Sequence, residues 1–132
     1  MIKVFLGGTA NSNWRDSFIN KLKINYFNPV VDDWNEEAYQ NEIKERKECN
    51  FVLYVITPKM EGVYSIAEVV DDSHKQPNKT IFTFIREDEG DTFSQHQQKS
   101  LDKVGVMVEE NGGLYLKNIN EVLNYLNFKK LI

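Results

Sequence analysis

Two glutamates are placed where a carboxylate could act as a nucleophile or transfer a proton. Glu68 comes three positions after Ser65, near the start of a predicted helix, and Glu42 lies in the helix predicted before it. A carboxylate in the first turn of a helix is stabilised in its ionised form by the helix dipole. An ionised, fixed carboxylate suits a nucleophile or a cation stabiliser. Two carboxylates at one site divide the work when one stays ionised and the other, with a raised pKa, handles a proton.

Both glutamates also have a structural interpretation. Ser65 and Glu68 fit the capping-box pattern, in which a glutamate at the third helical position accepts a hydrogen bond from the cap residue's own N–H. Tyr39 and Ile43 are expected to face inward, which places Glu42 at the border of the core-facing side of its helix. The alternative is that Glu42 is a solvated residue on a very polar helix. Local pattern leaves these alternatives open.

A short glycine segment is a candidate site for an anion or a sugar. Gly7 and Gly8 follow a predicted buried strand and, with Thr9, open toward a helix whose free N–H groups attract anions. The segment lacks the third glycine of a dinucleotide fingerprint and the Gly-Lys of a P-loop, so a tight turn is the alternative. Arg15 can hold a phosphate or carboxylate with two parallel hydrogen bonds, or it lies on the surface beside a tryptophan of the core.

Three aromatic residues near predicted strand ends are candidates for stacking on a flat ring: Trp14, Trp34 and Tyr64. Core packing is the alternative for at least one of the tryptophans. The two histidines, His74 and His96, have no acidic or cysteine partner at metal-ligand spacing, so the sequence predicts no metal site.

The length and composition predict one domain, over residues 1–132. Sixteen Lys and Arg against twenty Asp and Glu leave a net charge of −4. Because the basic residues are scattered, a nucleic-acid duplex is not an expected partner. The single cysteine, Cys49, cannot form an internal disulfide, and the apolar start of the chain is too short for a signal peptide or a membrane span. We therefore expect a cytoplasmic protein with no membrane partner.

Hydrophobic patterning predicts that strands and helices alternate along the chain. Strands are predicted at Ile2–Leu6, Pro29–Val31, Phe51–Thr57, Thr80–Ile85 and Val104–Val108, the last with Leu114–Leu116 as an extension. Helices are predicted at Trp14–Ile24, Asn35–Glu48, Ile66–His74, Phe93–Lys103 and Ile119–Phe128. Continuous apolar strands indicate a sheet covered on both faces. The expected fold class is α/β: a single doubly wound, mainly parallel five-stranded sheet flanked by helices, flavodoxin-like or Rossmann-like. In the commonest strand order, strands one and three are adjacent and ligands bind at their carboxyl ends.

Five segments in this order resemble the nucleoside 2-deoxyribosyltransferase family, particularly its short, divergent members: Val4–Thr9, Trp14-Arg15, Phe27–Pro29, Cys49–Thr57 and Tyr64–Glu68. The resemblance implies cleavage or transfer at the N-glycosidic bond of a 2′-deoxynucleoside or deoxynucleotide. Glu68 matches the family's nucleophile, which forms a covalent deoxyribosyl-enzyme. Glu42 lies near the position at which the family has an acid that helps to bind the base. The resemblance also implies that no metal or organic cofactor is used, and that a neighbouring subunit often completes the site.

A non-catalytic function is the alternative, in which the same crevice binds a nucleotide-derived small molecule without turning it over. Five strand–helix units use up the 132 residues, so we expect no lid domain over the crevice. A homo-oligomer is therefore expected, in which another copy of the chain finishes the open site. The identity of the base, the need for a 5′-phosphate, and the choice between base and water as acceptor stay open.

Overall fold

The computed structural model describes residues 1–128, which form alternating strands and helices. The strands are β1 (Lys3–Gly8), β2 (Asn25–Phe27), β3 (Phe51–Ile56), β4 (Thr80–Phe84), β5 (Glu87–Asp88), β6 (Asp91–Thr92) and β7 (Leu114–Tyr115). The helices are α1 (Trp14–Lys21), α2 (Glu36–Glu48), α3 (Tyr64–Lys75), α4 (Gln95–Glu110) and α5 (Ile119–Phe128), with a 3₁₀ turn at Pro77–Lys79. Within these residues, no helix has both the length and the apolar character needed to cross a membrane.

The main sheet confirms the predicted α/β class. Five parallel strands lie in the order β2-β1-β3-β4-β7, and β5 and β6 form a separate antiparallel pair. β1 and β3 are neighbours, paired from Val4 opposite Phe51 to Gly8 opposite Val55. Their carboxyl ends therefore meet at one edge, as a flavodoxin-like fold requires. That residues 1–132 form one domain stays a prediction.

Helices cover both faces of the sheet, which explains why the central strands are apolar throughout. Val4 and Leu6 pack with α1 and α5 on one face, and Phe5 packs with α3 and α4 residues on the other. All six residues of β3 are buried. A central parallel strand with both faces covered has no solvent side on which polar residues would be favoured.

Two predicted strands are wrong. The segment Pro29–Val31 is a loop, and the strand beside β1 is Asn25–Phe27, with Lys3 opposite Asn25. Val104–Val108 lies inside α4, where Leu101, Gly105 and Val108 form the buried stripe of a helix. Residues at these intervals share one helical face, so a short apolar run was misread as a strand. Leu114–Tyr115 supplies the fifth strand of the sheet.

The starts of α2 and α3 also differ from expectation. α3 begins at Tyr64, its N-cap is Val63, and no side chain caps it, so the predicted capping box of Ser65 and Glu68 does not form. In α2 no residue is buried, and Ile43 is 41% exposed rather than inward-facing. α2 is instead held at its start by Asn35, whose side chain accepts a hydrogen bond from the Ala38 N–H at 2.9 Å.

Candidate active site

A cavity of about 590 Å³ lies at the carboxyl end of β1, beside the start of α3, the helix that follows β3. Its volume is within the usual range for small-molecule sites, about 300–1,000 Å³. The end of β1 and the first turns of α3 form one side, and the loop after β2 with the start of α2 forms the other. The lining residues are Phe5, Gly7, Gly8, Ala10, Arg15, Pro29, Val30, Val31, Trp34, Tyr39, Glu42, Tyr64, Ser65 and Glu68.

The two glycines at the end of β1 are required by close packing. A Cβ on Gly7 would lie 2.7 Å from the ring of Tyr54, and one on Gly8 would lie 2.0 Å from the carbonyl oxygen of Val55. Gly8 also has φ +114°, a conformation that side chains other than glycine rarely adopt. The Ser65 hydroxyl donates to the Gly8 carbonyl at 3.2 Å, which joins the first turn of α3 to the end of β1.

Arg15 is a buried cation at the base of the cavity. Its guanidinium donates to three backbone carbonyls, Leu6 at 3.0 Å, Thr9 at 2.6 Å and Gly8 at 3.5 Å. Burial lowers the pKa of Arg15 to about 10, so the side chain remains charged at neutral pH. Among residues 1–128, no acidic side chain forms an ion pair with it. The alternative of a surface arginine is wrong, because only 4% of Arg15 is exposed.

Glu68 places a buried carboxylate beside the cavity. It is 6% exposed and is the fifth residue of α3, two positions further from the helix N-terminus than the third position that the sequence pattern indicated. Burial raises its pKa to about 7; Arg46 opposes this shift, while Glu42 and Asp72 add to it. The expectation that the helix dipole dominates its ionisation is therefore wrong. Near neutral pH, both the ionised and the protonated carboxyl are populated.

A cluster of charged residues behind Glu68 joins α2 to α3. Nη1 of Arg46 lies 3.7 Å from Oε2 of Glu68, and Nε of Arg46 donates to Oδ2 of Asp72 at 2.9 Å. The Tyr54 hydroxyl donates to the same Asp72 oxygen at 2.6 Å. Sequence reasoning missed these residues. The signal was helical spacing, since Arg46 is four residues after Glu42 and Asp72 is four after Glu68.

The opposite wall combines apolar side chains with the second candidate acid. Trp34 donates from Nε1 to Oε2 of Glu42 at 3.3 Å, and its ring meets the Tyr39 ring edge-on at a centroid distance of 5.3 Å. Pro29 and Val30 continue this wall. Glu42 thus faces the cavity with one oxygen held by an indole N–H. A flat, apolar wall with one oriented carboxylate suits a heterocycle that carries hydrogen-bond donors.

Most of the predicted site residues meet at this cavity: Gly7, Gly8, Arg15, Trp34, Glu42, Tyr64, Ser65 and Glu68 line it. Thr9 and Trp14 do not. The Thr9 hydroxyl accepts from the Thr57 N–H at 2.9 Å, and Thr9 lines a smaller neighbouring pocket of about 120 Å³. Trp14 is 7% exposed and packs against Phe18 in the core. A substrate-binding role for Trp14 therefore gains no support from its position.

Sequence reasoning also missed part of the cavity wall: Phe5, Ala10, Pro29, Val30, Val31 and Tyr39 line it. The misread strand at Pro29–Val31 concealed three of them. Within residues 1–128, no group of three or more His, Cys, Asp or Glu side chains is arranged to hold a metal ion. The chemistry that the site offers is that of a buried carboxylate with a second carboxylate on the facing helix, which suits nucleophilic or acid–base catalysis.

Comparison with known proteins identifies a family. A family model described as nucleoside 2-deoxyribosyltransferase like matches residues 1–87, about two thirds of the chain. The matched region includes β1 to β4 and every residue that lines the large cavity. No curated protein matches the chain.

Proposed function

The chain belongs to the nucleoside 2-deoxyribosyltransferase-like family, and from that premise we propose that it cleaves or transfers at the N-glycosidic bond of a 2′-deoxynucleoside or deoxynucleotide. The family suggests glycosyl transfer on nucleosides. The observation that carries the proposal for this chain is Glu68, a buried carboxylate with a pKa of about 7 beside a cavity of small-molecule size. Gly7 and Gly8 line the same cavity, and because they have no side chains they leave space for the sugar.

The proposed reaction has two displacements at the anomeric carbon. An ionised oxygen of Glu68 bonds to that carbon as the carbon–nitrogen bond breaks, and the bonding pair leaves with the base, which takes up a proton from solvent water. The sugar stays on Glu68 as an ester. The nitrogen of a second base, or a water oxygen, then attacks the carbon and gives up its proton to solvent water. The carbon–oxygen bonding pair returns to Glu68 as a carboxylate, as in retaining glycosidases.

Glu42 is proposed to assist at the base. Its carboxylate is oriented by Trp34 and lies on the wall opposite the glycines, with Tyr39 beside it. Charge on Glu42 contributes to the raised pKa of Glu68, so the two carboxylates interact across the cavity. In this arrangement Glu68 attacks the sugar, while the Glu42 carboxylate accepts hydrogen bonds from the edge of the base.

Arg15 supplies the positive charge for a 5′-phosphate or a polar sugar. Its three backbone hydrogen bonds leave part of its donor capacity unused, and no carboxylate among the described residues neutralises it. A deoxynucleoside and its 5′-monophosphate compared in the same assay will show whether the site uses this charge. A phosphate requirement would appear as a lower KM for the monophosphate.

The test of catalysis is base release or base exchange with each deoxynucleoside and deoxynucleoside monophosphate, with and without a second base. Glu68→Gln should abolish both reactions and leave the fold intact by circular dichroism. Glu110→Gln, an exposed Glu-to-Gln change at the end of α4, is the matched control and should keep full activity. Full activity of Glu68→Gln would contradict the proposed nucleophile.

The binding-module alternative gives a different result in the same experiment. Calorimetry would then detect binding of a nucleoside or nucleotide, while chromatography detects no free base in any mixture. Substitution of Trp34 by Ala would weaken that binding, because the indole forms part of the apolar wall and holds Glu42. Binding without turnover by the unmodified protein would replace the enzymatic proposal by this one.

We also propose that a second copy of the chain covers the cavity. Four residues around its opening expose large apolar side chains: Val30 is 42% exposed, Val31 47%, Trp34 58% and Tyr64 59%. Val63, next to Tyr64, is 68% exposed. Apolar residues grouped at a cavity mouth are typical of an interaction surface. Covering them would also keep water from the glycosyl intermediate and thereby favour transfer over hydrolysis.

A further inference from the structure

Glu68 and Arg46 are close but not hydrogen bonded. Nη1 of Arg46 and Oε2 of Glu68 are 3.7 Å apart, beyond the usual 2.7–3.2 Å range of an N–H···O bond. Among the described residues, no hydrogen bond to the Glu68 carboxylate is found, and Arg46 is the only cation paired with it. The carboxylate therefore has a positive neighbour without giving up a lone pair to it.

Arg46 is fixed in this place by other partners. Its Nε donates to Asp72 at 2.9 Å, and its Nη2 donates to Asp71 at 3.1 Å and to the Glu68 backbone carbonyl at 3.4 Å. Asp72 is itself held by the Tyr54 hydroxyl at 2.6 Å. These contacts bind α2 to α3 and set the guanidinium position without help from the Glu68 side chain.

We propose that Arg46 is a positioning residue of the catalytic site: it favours the charged form of the Glu68 carboxylate and leaves both carboxylate oxygens free to attack the sugar. The inference rests on the proposed function, because it assigns Arg46 a task in the same displacement. A direct hydrogen bond from Arg46 would also stabilise the charge, but it would occupy one of the lone pairs of the carboxylate and make that oxygen a weaker nucleophile.

The charge balance of the cluster supports this task. When Glu68 becomes an ester, it loses its negative charge, yet Arg46 keeps its bonds to Asp72 and Asp71 and is not left as an unpaired buried cation. Those two aspartates also offset the positive charge of Arg46 while cationic character develops on the sugar. When the ester breaks, Arg46 stabilises the departing carboxylate of Glu68.

The groups that act on Glu68 lie on three elements. Arg46 and Glu42 face it from α2, Asp72 lies one turn along α3, and the Tyr54 hydroxyl comes from β3. Of these, only Arg46 favours the ionised form of Glu68, since burial and the two carboxylates oppose it. An opposite charge within about 4–6 Å shifts the pKa of an acid by about 1–3 units.

The experiment compares unmodified protein, Arg46→Gln, Arg46→Lys and Lys75→Gln. Lys75→Gln is the matched control. It removes a cation that pairs with Asp71 at 3.2 Å but does not pair with Glu68. The Glu68 carboxyl is titrated by carbon-13 NMR, with its signal assigned by its loss in Glu68→Gln. Base release in a single turnover is measured from pH 5 to 9 on the same proteins, and circular dichroism checks the fold.

In Arg46→Gln, we expect the Glu68 titration midpoint to rise by about one unit or more, in line with the loss of a neighbouring opposite charge. At pH 6 the rate of base release should then fall about tenfold for each unit by which the Glu68 midpoint rises, because less of the carboxyl is ionised. At pH 9 the rate should recover toward that of the unmodified protein. Arg46→Lys should restore part of the shift, because it keeps the charge but not the planar set of donors. Lys75→Gln should leave both readouts unchanged.

An unchanged midpoint in Arg46→Gln would overturn the inference, as would a rate that falls equally at every pH, which is the signature of a structural role alone. If Arg46→Gln fails to fold, Arg46→Met, which also removes the charge but keeps an unbranched side chain, carries the same comparison. If the unmodified protein releases no base, the proposed function fails, and the NMR midpoint still decides whether Arg46 sets the charge of Glu68.

Discussion

The Glu68 carboxyl is stabilised in its protonated form by burial, although its proposed task requires the ionised form. Its pKa of about 7 is above its ordinary value of 4.5, and burial is the largest cause. As the pH rises, the unfolded chain releases this proton before the folded one does. The free energy of unfolding therefore falls between about pH 4.5 and 7 because of this group and stays lowered above that range. A residue that destabilises the fold in this way is expected at a functional site.

This leads to a prediction for the stability of Glu68→Gln. Above pH 7 the variant should be more stable than the unmodified protein by on the order of 2–3 kcal/mol, since it removes a buried ionisation. The difference should vanish below about pH 4.5, where both chains are neutral at this position. Urea unfolding at pH 4, 6 and 8 measures it. Equal stabilities at pH 8 would show that Glu68 ionises at no cost in the folded chain.

At the scale of elements, the position of α2 depends on polar contacts and not on a buried apolar face. This helix carries both Glu42 and Arg46, yet none of its residues is buried. Polar contacts attach it to the rest of the chain, among them Lys3 with Glu45 at 2.7 Å and the Arg46 cluster, and Asn35 caps its start. α3 differs, because Val69 is fully buried on its inner face. The site therefore joins a firmly packed helix with a helix held by charge and hydrogen bonds.

The cap of α2 offers a test at this scale. Asn35→Ala removes the acceptor for the Ala38 N–H and should lower the free energy of unfolding by about 0.5–2 kcal/mol. Asn35→Asp keeps an acceptor at the same place and should retain most of the stability. Because Glu42 and Arg46 depend on α2, base release should fall in Asn35→Ala and persist in Asn35→Asp. Thermal unfolding and the base-release assay on the same samples measure both effects.

At the scale of the whole molecule, the cavity has two well-formed sides and an exposed apolar opening. The large apolar side chains at that opening, with Val63 beside them, form one patch on the described surface. Exposure of this kind is unfavourable for a lone chain, and a second copy is the proposed cover. Cys49 is buried, and burial raises the pKa of its thiol to about 12, so it is an unreactive thiol. Cytoplasmic location stays a prediction.

The oligomer prediction is tested by Val63→Asp. A charge that becomes buried in an apolar interface is strongly unfavourable, so sedimentation velocity should show an oligomer for the unmodified protein and a monomer for this variant. Met107→Asp, at an apolar residue of α4 that is 49% exposed and does not line the cavity, is the control and should remain oligomeric. A monomeric unmodified protein at micromolar concentrations would contradict the proposal.

Much of the architecture follows from the sequence alone. The continuous apolar runs of β1, β3 and β4 specify strands covered on both faces, and with the alternating helices they imply a parallel sheet with β1 beside β3. The same local signals placed Gly7, Gly8 and Glu68 at the edge of the sheet where the cavity lies. Short segments were less informative, because the apolar run Val104–Val108 fits a strand and a buried helical stripe equally well.

Only the tertiary structure decided how the candidate residues are used. It buried Glu68 and so reversed the expected direction of its pKa, and it brought Arg46 to within 3.7 Å of it from another helix. In the folded chain Arg15 donates hydrogen bonds to three backbone carbonyls, and Trp14 packs in the core. Burial and electrostatic environment depend on contacts between residues that are distant along the chain, and a local pattern does not contain those contacts.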